Sequence, residues 1–282
     1  MFKPPQEIRK PFFAGKFYPS NKSDIESLMQ KLLSAEEKNI DLSLSKKGLI
    51  GAIIPHAGYI YSGYQAVHVF EILKHYKQPI DTVVIVNPNH SGLGFGNLNQ
   101  GCAKQWETPL GLVDVDTELS QKLDIECCEA AHEREHSGEV MLPFLQYFLP
   151  YKFKIAVITM NEQSFANAKL LAKKIATAAK QLNRKIFLLA STDFTHYESP
   201  QAGYANDQYV VEKILKLKSS AIEKKVKKHA ISMCGYGPVM TMIEYAKICS
   251  NTPAINILKR GHSGEVYPSE KVVNYISFLC YQ

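Results

Sequence analysis

Five short segments of this chain place a residue suited to metal binding or acid/base work at or near the end of an apolar run. They are Ile53-Ile54-Pro55-His56, Val86-Asn87-Pro88-Asn89-His90, His132 to His136, Ser191-Thr192-Asp193-Phe194-Thr195-His196 and Ser232-Met233-Cys234-Gly235. Imidazole binds borderline metals such as zinc, iron and copper, while a carboxylate suits harder cations or serves as a base. Taken singly, each histidine is better read as a core or surface hydrogen-bonding residue. His56, His90 and His196, all following strand-like runs and joined by Asp193, point as a set to a mononuclear metal centre. Cys234 lies just before an apolar helix, where the dipole favours the thiolate. It is open as a metal ligand, a nucleophile or a small buried thiol.

The elements that must position these residues alternate in type. Leu49 to Ile54, Thr82 to Val86, Ile155 to Met160 and Lys185 to Ser191 read as buried strands, with later strands near Ile255 to Leu258 and Val272 to Leu279. Helices are predicted from Ser23 (a Ser-x-x-Glu capping box with Glu26), over Tyr64 to Tyr76, over Ser164 to Gln181 and from Pro238 to Cys249. Strands alternating with helices imply βαβ units and an α/β fold with a mostly parallel sheet covered on both faces. In such sheets ligands sit outside the carboxyl ends of the strands, where these residues fall. Ser91 to Gly101 is a Gly- and Asn-rich loop, followed by irregular or hairpin-like sequence to about Val115. With no repeat, linker or composition shift, residues 1–282 are read as one domain.

Composition narrows the function classes. Hydrophobic residues make up 45% and charged residues 21%, ordinary for a soluble globular protein. The net charge of +6 is scattered, and the one dense cluster, Glu223 to Lys228, reads as a solvated helix face rather than a nucleic-acid site. The six cysteines contain no CxxC pair and are not expected to form a disulfide framework; Cys249 and Cys280 are expected to be buried. There is no secretory h-region and no span-length apolar stretch, so no membrane association and a cytoplasmic location are expected.

Other templates fail. His132-Glu133-x-x-His136 matches the zinc-peptidase H-E-x-x-H signature, which needs both histidines on one face of a continuous helix. Here Arg134 and Glu135 fill the middle and Ser137-Gly138 follow, with Ser137 expected to cap a new helix through Phe148. Gly92, Gly94 and Gly96 give GxGxG rather than GxGxxG; there is neither a P-loop nor a nucleophile elbow. His262 is expected in a surface loop.

Together the motifs resemble a known family. Pro55-His56-Ala57-Gly58-Tyr59 with Tyr61-Ser62-Gly63, the Asn87-Pro88-Asn89-His90 turn, Glu135-His136-Ser137-x-Glu139-x-x-Leu142-Pro143, Ser191-Thr192-Asp193-Phe194-x-His196 and Cys234-Gly235-x-x-Pro238 are similar to the Memo family, labelled in prokaryotes as AmmeMemoRadiSam system protein B. The resemblance runs in order from Arg9-Lys10-Pro11 to the C-terminus. It implies a three-layer α/β/α domain related to the class III extradiol (LigB-like) dioxygenases, which are non-haem iron enzymes. It also implies His56, His90 and Cys234 as metal-binding positions, Asp193, His196 and His136 as pocket residues, and His196 in the place of the dioxygenase acid/base.

The dioxygenase iron is held by two histidines and a carboxylate, whereas Cys234 stands in the carboxylate's place here. A thiolate is softer and shifts preference toward copper(I) or zinc. The expected cofactor is a mononuclear iron or copper ion, with zinc as a further option, and the expected role is redox or oxidoreductase-like. The resemblance also implies radical SAM and Ammecr-type pathway partners. A binding module for a peptide or partner protein is the alternative, because a fold does not fix a function.

Overall fold

The buried apolar runs become the centre of a sheet. The computed structural model describes residues 7–282. In chain order the first half comprises β1 (Ile8–Arg9), α1 (Lys22–Glu36), β2 (Leu49–Ile54), α2 (Tyr59–Lys74), β3 (Thr82–Pro88), β4 (Leu98–Gln100), β5 (Gln105–Thr108) and β6 (Gly111–Val115). Then come α3 (Thr117–Leu123), α4 (Glu129–Glu133), α5 (His136–Glu139), α6 (Met141–Phe148), β7 (Lys154–Met160), α7 (Phe165–Leu182) and β8 (Ile186–Ser191). The chain ends with β9 (His196–Glu198), α8 (Pro200–Leu215), α9 (Ser219–His229), α10 (Tyr236–Cys249), β10 (Ala254–His262) and β11 (Val272–Tyr281).

The sheet order is β1-β5-β6-β7-β3-β8-β2-β11-β10, with β4 beside β7 and β9 beside β11. Strands β6, β7, β3, β8 and β2 run parallel, while β10 and β11 are antiparallel additions at one edge and β5 and β6 form a hairpin near the other. The parallel centre is covered on both faces, which explains its near-continuous apolar sequence. Within β3, Val83 and Ile85 join the core under α1, α2 and α6, whereas Val84 and Val86 join the core under α7, α9 and α10. The same alternation divides Phe187 and Leu189 from Leu188 and Ala190 in β8. The result is a three-layer α/β/α arrangement.

The boundaries shift where capping chemistry competes. Helix α1 begins after Asn21, whose side chain accepts the Asp24 N–H, so the cap precedes the expected Ser23. Glu135, not Ser137, caps α5, and a second helix, α6, carries the run to Phe148. Helix α2 starts five residues before Tyr64, and α8 was not anticipated from sequence. The Glu223–Lys228 cluster lies on α9, where Lys227 pairs with Glu223 at 2.6 Å. Cys280 is buried in β11, but Cys249 at the last turn of α10 is exposed beside the exposed Ile248, because α10 leaves the core after Tyr245 and Ala246. His262 is half-buried at the end of β10, not in a loop. Cys102 and Cys127 are joined in a disulfide, brought together where Gln100 bridges to Cys127, a pairing that sequence spacing did not reveal. No helix among the described residues is long and apolar enough to cross a membrane.

Candidate metal centre

Register aligns the ends of the central strands. Ile54 of β2 sits opposite Ser191 of β8, and Val86 of β3 opposite Ala190. The segments carrying His56, His90 and Asp193 therefore leave the sheet side by side. Cys234 arrives from the other direction, in the turn entering α10. That turn packs tightly on β8: a side-chain carbon on Gly235 would stand 2.2 Å from the Ser191 carbonyl oxygen. Gly235 N–H donates to Thr192 Oγ1, and Gln163 grips the turn by donating to the Cys234 carbonyl and accepting from Gly237 N–H.

His56, His90 and Cys234 offer ligand atoms that all lie within 4.8 Å of one another. Cys234 Sγ is 3.2 Å from His56 Nε2. The other nitrogen of His56, Nδ1, is 2.7 Å from Ser191 Oγ, whose single hydroxyl hydrogen goes to the Ser137 carbonyl at 2.7 Å. Ser191 must therefore accept from Nδ1–H, leaving a lone pair on the Nε2 that faces the thiol. Burial drives His56 well below the usual histidine range, reinforced by His136 and His90, so the ring is neutral and fit to ligate. His56 is buried, whereas the His90 side chain keeps 32% exposure, so the centre opens to solvent on the His90 side.

The thiol behaves differently from the sequence expectation. Gly235 is the residue preceding α10, so Cys234 stands outside the helix and gains little from its dipole. Burial raises its pKa and the neighbouring Asp193 carboxylate raises it further, against the opposing Asp193 N–H bond at 3.1 Å. A cation in the pocket is what would favour the thiolate, since metal binding displaces the thiol proton. This donor set, two imidazoles and one thiol, fits a borderline or soft ion.

Asp193 is 4% exposed, and its Oδ1 accepts the His56 N–H at 2.8 Å. Burial pushes its carboxyl up to about 6, against the hydrogen bonds from His56 and Ala57. His196 begins β9; its Nδ1 lies 2.8 Å from the Ser232 carbonyl, which can only accept, so Nε2 carries the free lone pair. The His136 ring sits 5.2 Å from that of His56 and 4.7 Å from that of His90, backed by Phe17 at 4.5 Å and Phe13 at 5.5 Å. Burial lowers His136 to about 4, so it too is neutral near pH 7.

The H-E-x-x-H reading fails on geometry. Helix α4 ends at Glu133 and α5 starts at His136, so His132 and His136 share no helix. His132 is buried with Nε2 toward the Asn99 carbonyl, against Trp106. Glu135, in the middle of that motif, is the residue sequence reading missed. It is 2% exposed and hydrogen-bonded to His90. Burial would raise its carboxyl, but bonds from His90 and Ser137 prevail and hold it at about 2. Ser191 was noted only as a strand end; no local signal marks it as a partner of His56.

The family described as "Memo-like protein" matches residues 9–279. A MEMO1 family protein of Methanococcus maripaludis is 38% identical over 285 residues, covering 96% of this chain and 99% of the relative. One of Pyrobaculum aerophilum is 35% identical, covering 98% of this chain and 99% of the relative. The crystal structure of an uncharacterized protein from Escherichia coli K12 superposes with a TM-score of 0.52 at 12% identity, covering 81% of this chain and 99% of that one, and shares the fold.

Proposed function

The chain belongs to the Memo family, and from that premise we propose that it is a mononuclear metalloprotein with an oxidoreductase-type role on a small molecule or peptide. The observation that carries this reading is the convergence of His56 Nε2, His90 and Cys234 Sγ from three separate segments at the carboxyl end of the sheet. Bound iron or copper would supply one-electron chemistry there, and zinc would supply Lewis acidity alone. His196, whose Nε2 carries the lone pair, is the candidate acid/base group. Asp193 fixes the backbone that carries His56 and changes charge near pH 6. His136, neutral and backed by two phenylalanines, offers a ring face and a nitrogen to a ligand entering beside His90.

Metal analysis of protein purified without chelator tests the reading. About one iron, copper or zinc ion per chain is expected, as a three-ligand site with open positions predicts, and it should be lost in the His56→Ala/His90→Ala variant. Protein that arrives metal-free and whose double variant binds added metal as well as the parent does would overturn it.

A further inference from the structure

The contacts of one buried carboxylate go beyond the donor group. We propose that Glu135 is a positioning residue that decides which ring nitrogen of His90 faces the metal pocket. Its consequence for binding rests on the metal reading above; its geometry does not.

Glu135 lies between α4 and α5, in extended backbone, with its side chain buried. Both oxygens grip His90: Oε2 accepts the backbone N–H at 2.5 Å and Oε1 lies 2.9 Å from ring Nδ1. Oε1 also accepts the Ser137 N–H at 3.0 Å and the Ser137 hydroxyl at 2.6 Å. Two of these four neighbours are backbone N–H groups, which can only donate. The carboxylate is therefore an acceptor throughout, and Nδ1 must carry the hydrogen. That leaves the His90 lone pair on Nε2, as Ser191 leaves it for His56.

The grip is itself held. Arg9 donates to the His132 carbonyl at 2.8 Å and to the Glu135 carbonyl at 3.4 Å, fixing the backbone on either side of the turn. His90, Glu135 and His136 also form a second group with ligand atoms within 4.8 Å. An ion there would have to displace the two Ser137 bonds and the His90 bond already on Oε1. A carboxylate orienting a metal-binding imidazole is the simpler account.

Glutamine cannot replace this carboxylate, because its NH2 would meet either the His90 N–H or the Nδ1–H and Ser137 donors. The test uses the full chain with zinc alone, by chelator competition. Glu135→Gln is expected to weaken zinc binding about 10- to 100-fold. In a His90→Ala background the same change should cost less than about twofold, the non-additivity expected of residues that act through a direct contact. Equal losses in both backgrounds would mean a merely structural role and would overturn the proposal, as would an unchanged affinity.

Nitrogen-15 NMR of the metal-free protein gives a second readout. His90 is expected with its proton on Nδ1 in the parent and redistributed toward Nε2 in Glu135→Gln. A parent protonated on Nε2 would sink the positioning role whether or not zinc binds. Failure of the parent to bind zinc, with the Nδ1 proton in place, would instead count against the metal reading alone.

Discussion

At the scale of single residues, burial governs how this site responds to acid. It holds His132 and His136 at about 4, and pushes Asp193 up to about 6. Free histidine titrates near 6.5 and aspartate near 3.9. Between roughly 6.5 and 4 the unfolded chain takes up protons that the two folded histidines refuse, so their contribution is complete above that window and is lost as pH falls through it. Asp193 acts oppositely. The folded chain keeps a proton there that the unfolded chain releases above about 4, so its contribution is complete in acid and gone above about pH 6. Two histidines at up to about 3 kcal/mol each outweigh one aspartate, and His56 adds to them. The metal-free protein is therefore expected to lose melting temperature steadily from pH 7 to about 4.5. His136→Asn should flatten that slope in a thermal scan across pH. A parent whose melting temperature stays level or rises toward acid would show that these rings are not buried neutral.

At the scale of elements, the site depends on how closely α10 approaches β8. The turn before α10 carries Cys234, and Gly235 is what lets it lie against the Ser191 and Thr192 backbone. A methyl at Gly235 has nowhere to go, because the atom it meets is a main-chain oxygen in the middle layer of the fold. Gly235→Ala is expected to destabilise the protein by about 3 kcal/mol, the upper range of overpacking costs, and to weaken metal binding by moving Sγ away from His56. Urea unfolding measures the first effect and chelator competition the second. A variant as stable as the parent would mean that the turn can slide along β8 without harm.

For the whole molecule, the N-terminal segment is tied across the pocket by a buried charge cluster. Glu139 of α5 pairs with Arg9 of β1 at 2.7 Å, with side-chain exposures of 0% and 3%, and accepts from Phe12 N–H, Phe13 N–H and Tyr18 Oη. This anchor places Phe13 and Phe17 against His136. Glu139→Ala leaves Arg9 buried without its partner, and a loss of about 3–5 kcal/mol is expected. The single tryptophan, Trp106, lies 4.1 Å beneath the Arg9 guanidinium, so its fluorescence should report the unfolding directly. A loss below about 1 kcal/mol, the range of exposed pairs, would show the cluster to be open to water.

Local sequence determined the strands at the centre of the sheet, because β2, β3, β7 and β8 are buried on both faces and their apolar runs need no partner to be recognised. It also marked His56, His90 and Cys234, since each follows a strand end or precedes a helix start. Tertiary structure decided what surrounds them. The pairing of Glu135 with His90 spans 45 positions, and that of Ser191 with His56 spans 135. No periodicity encodes such distances, and within its own segment Glu135 looked like a break in a peptidase motif. The same holds for Cys234, whose place beside a helix suggested an easily ionised thiol. Burial next to Asp193, created only when β8 and α10 meet, reversed that expectation. Residue types and strand ends are local properties and can be read along the chain; tautomers, burial and charge belong to the assembled pocket.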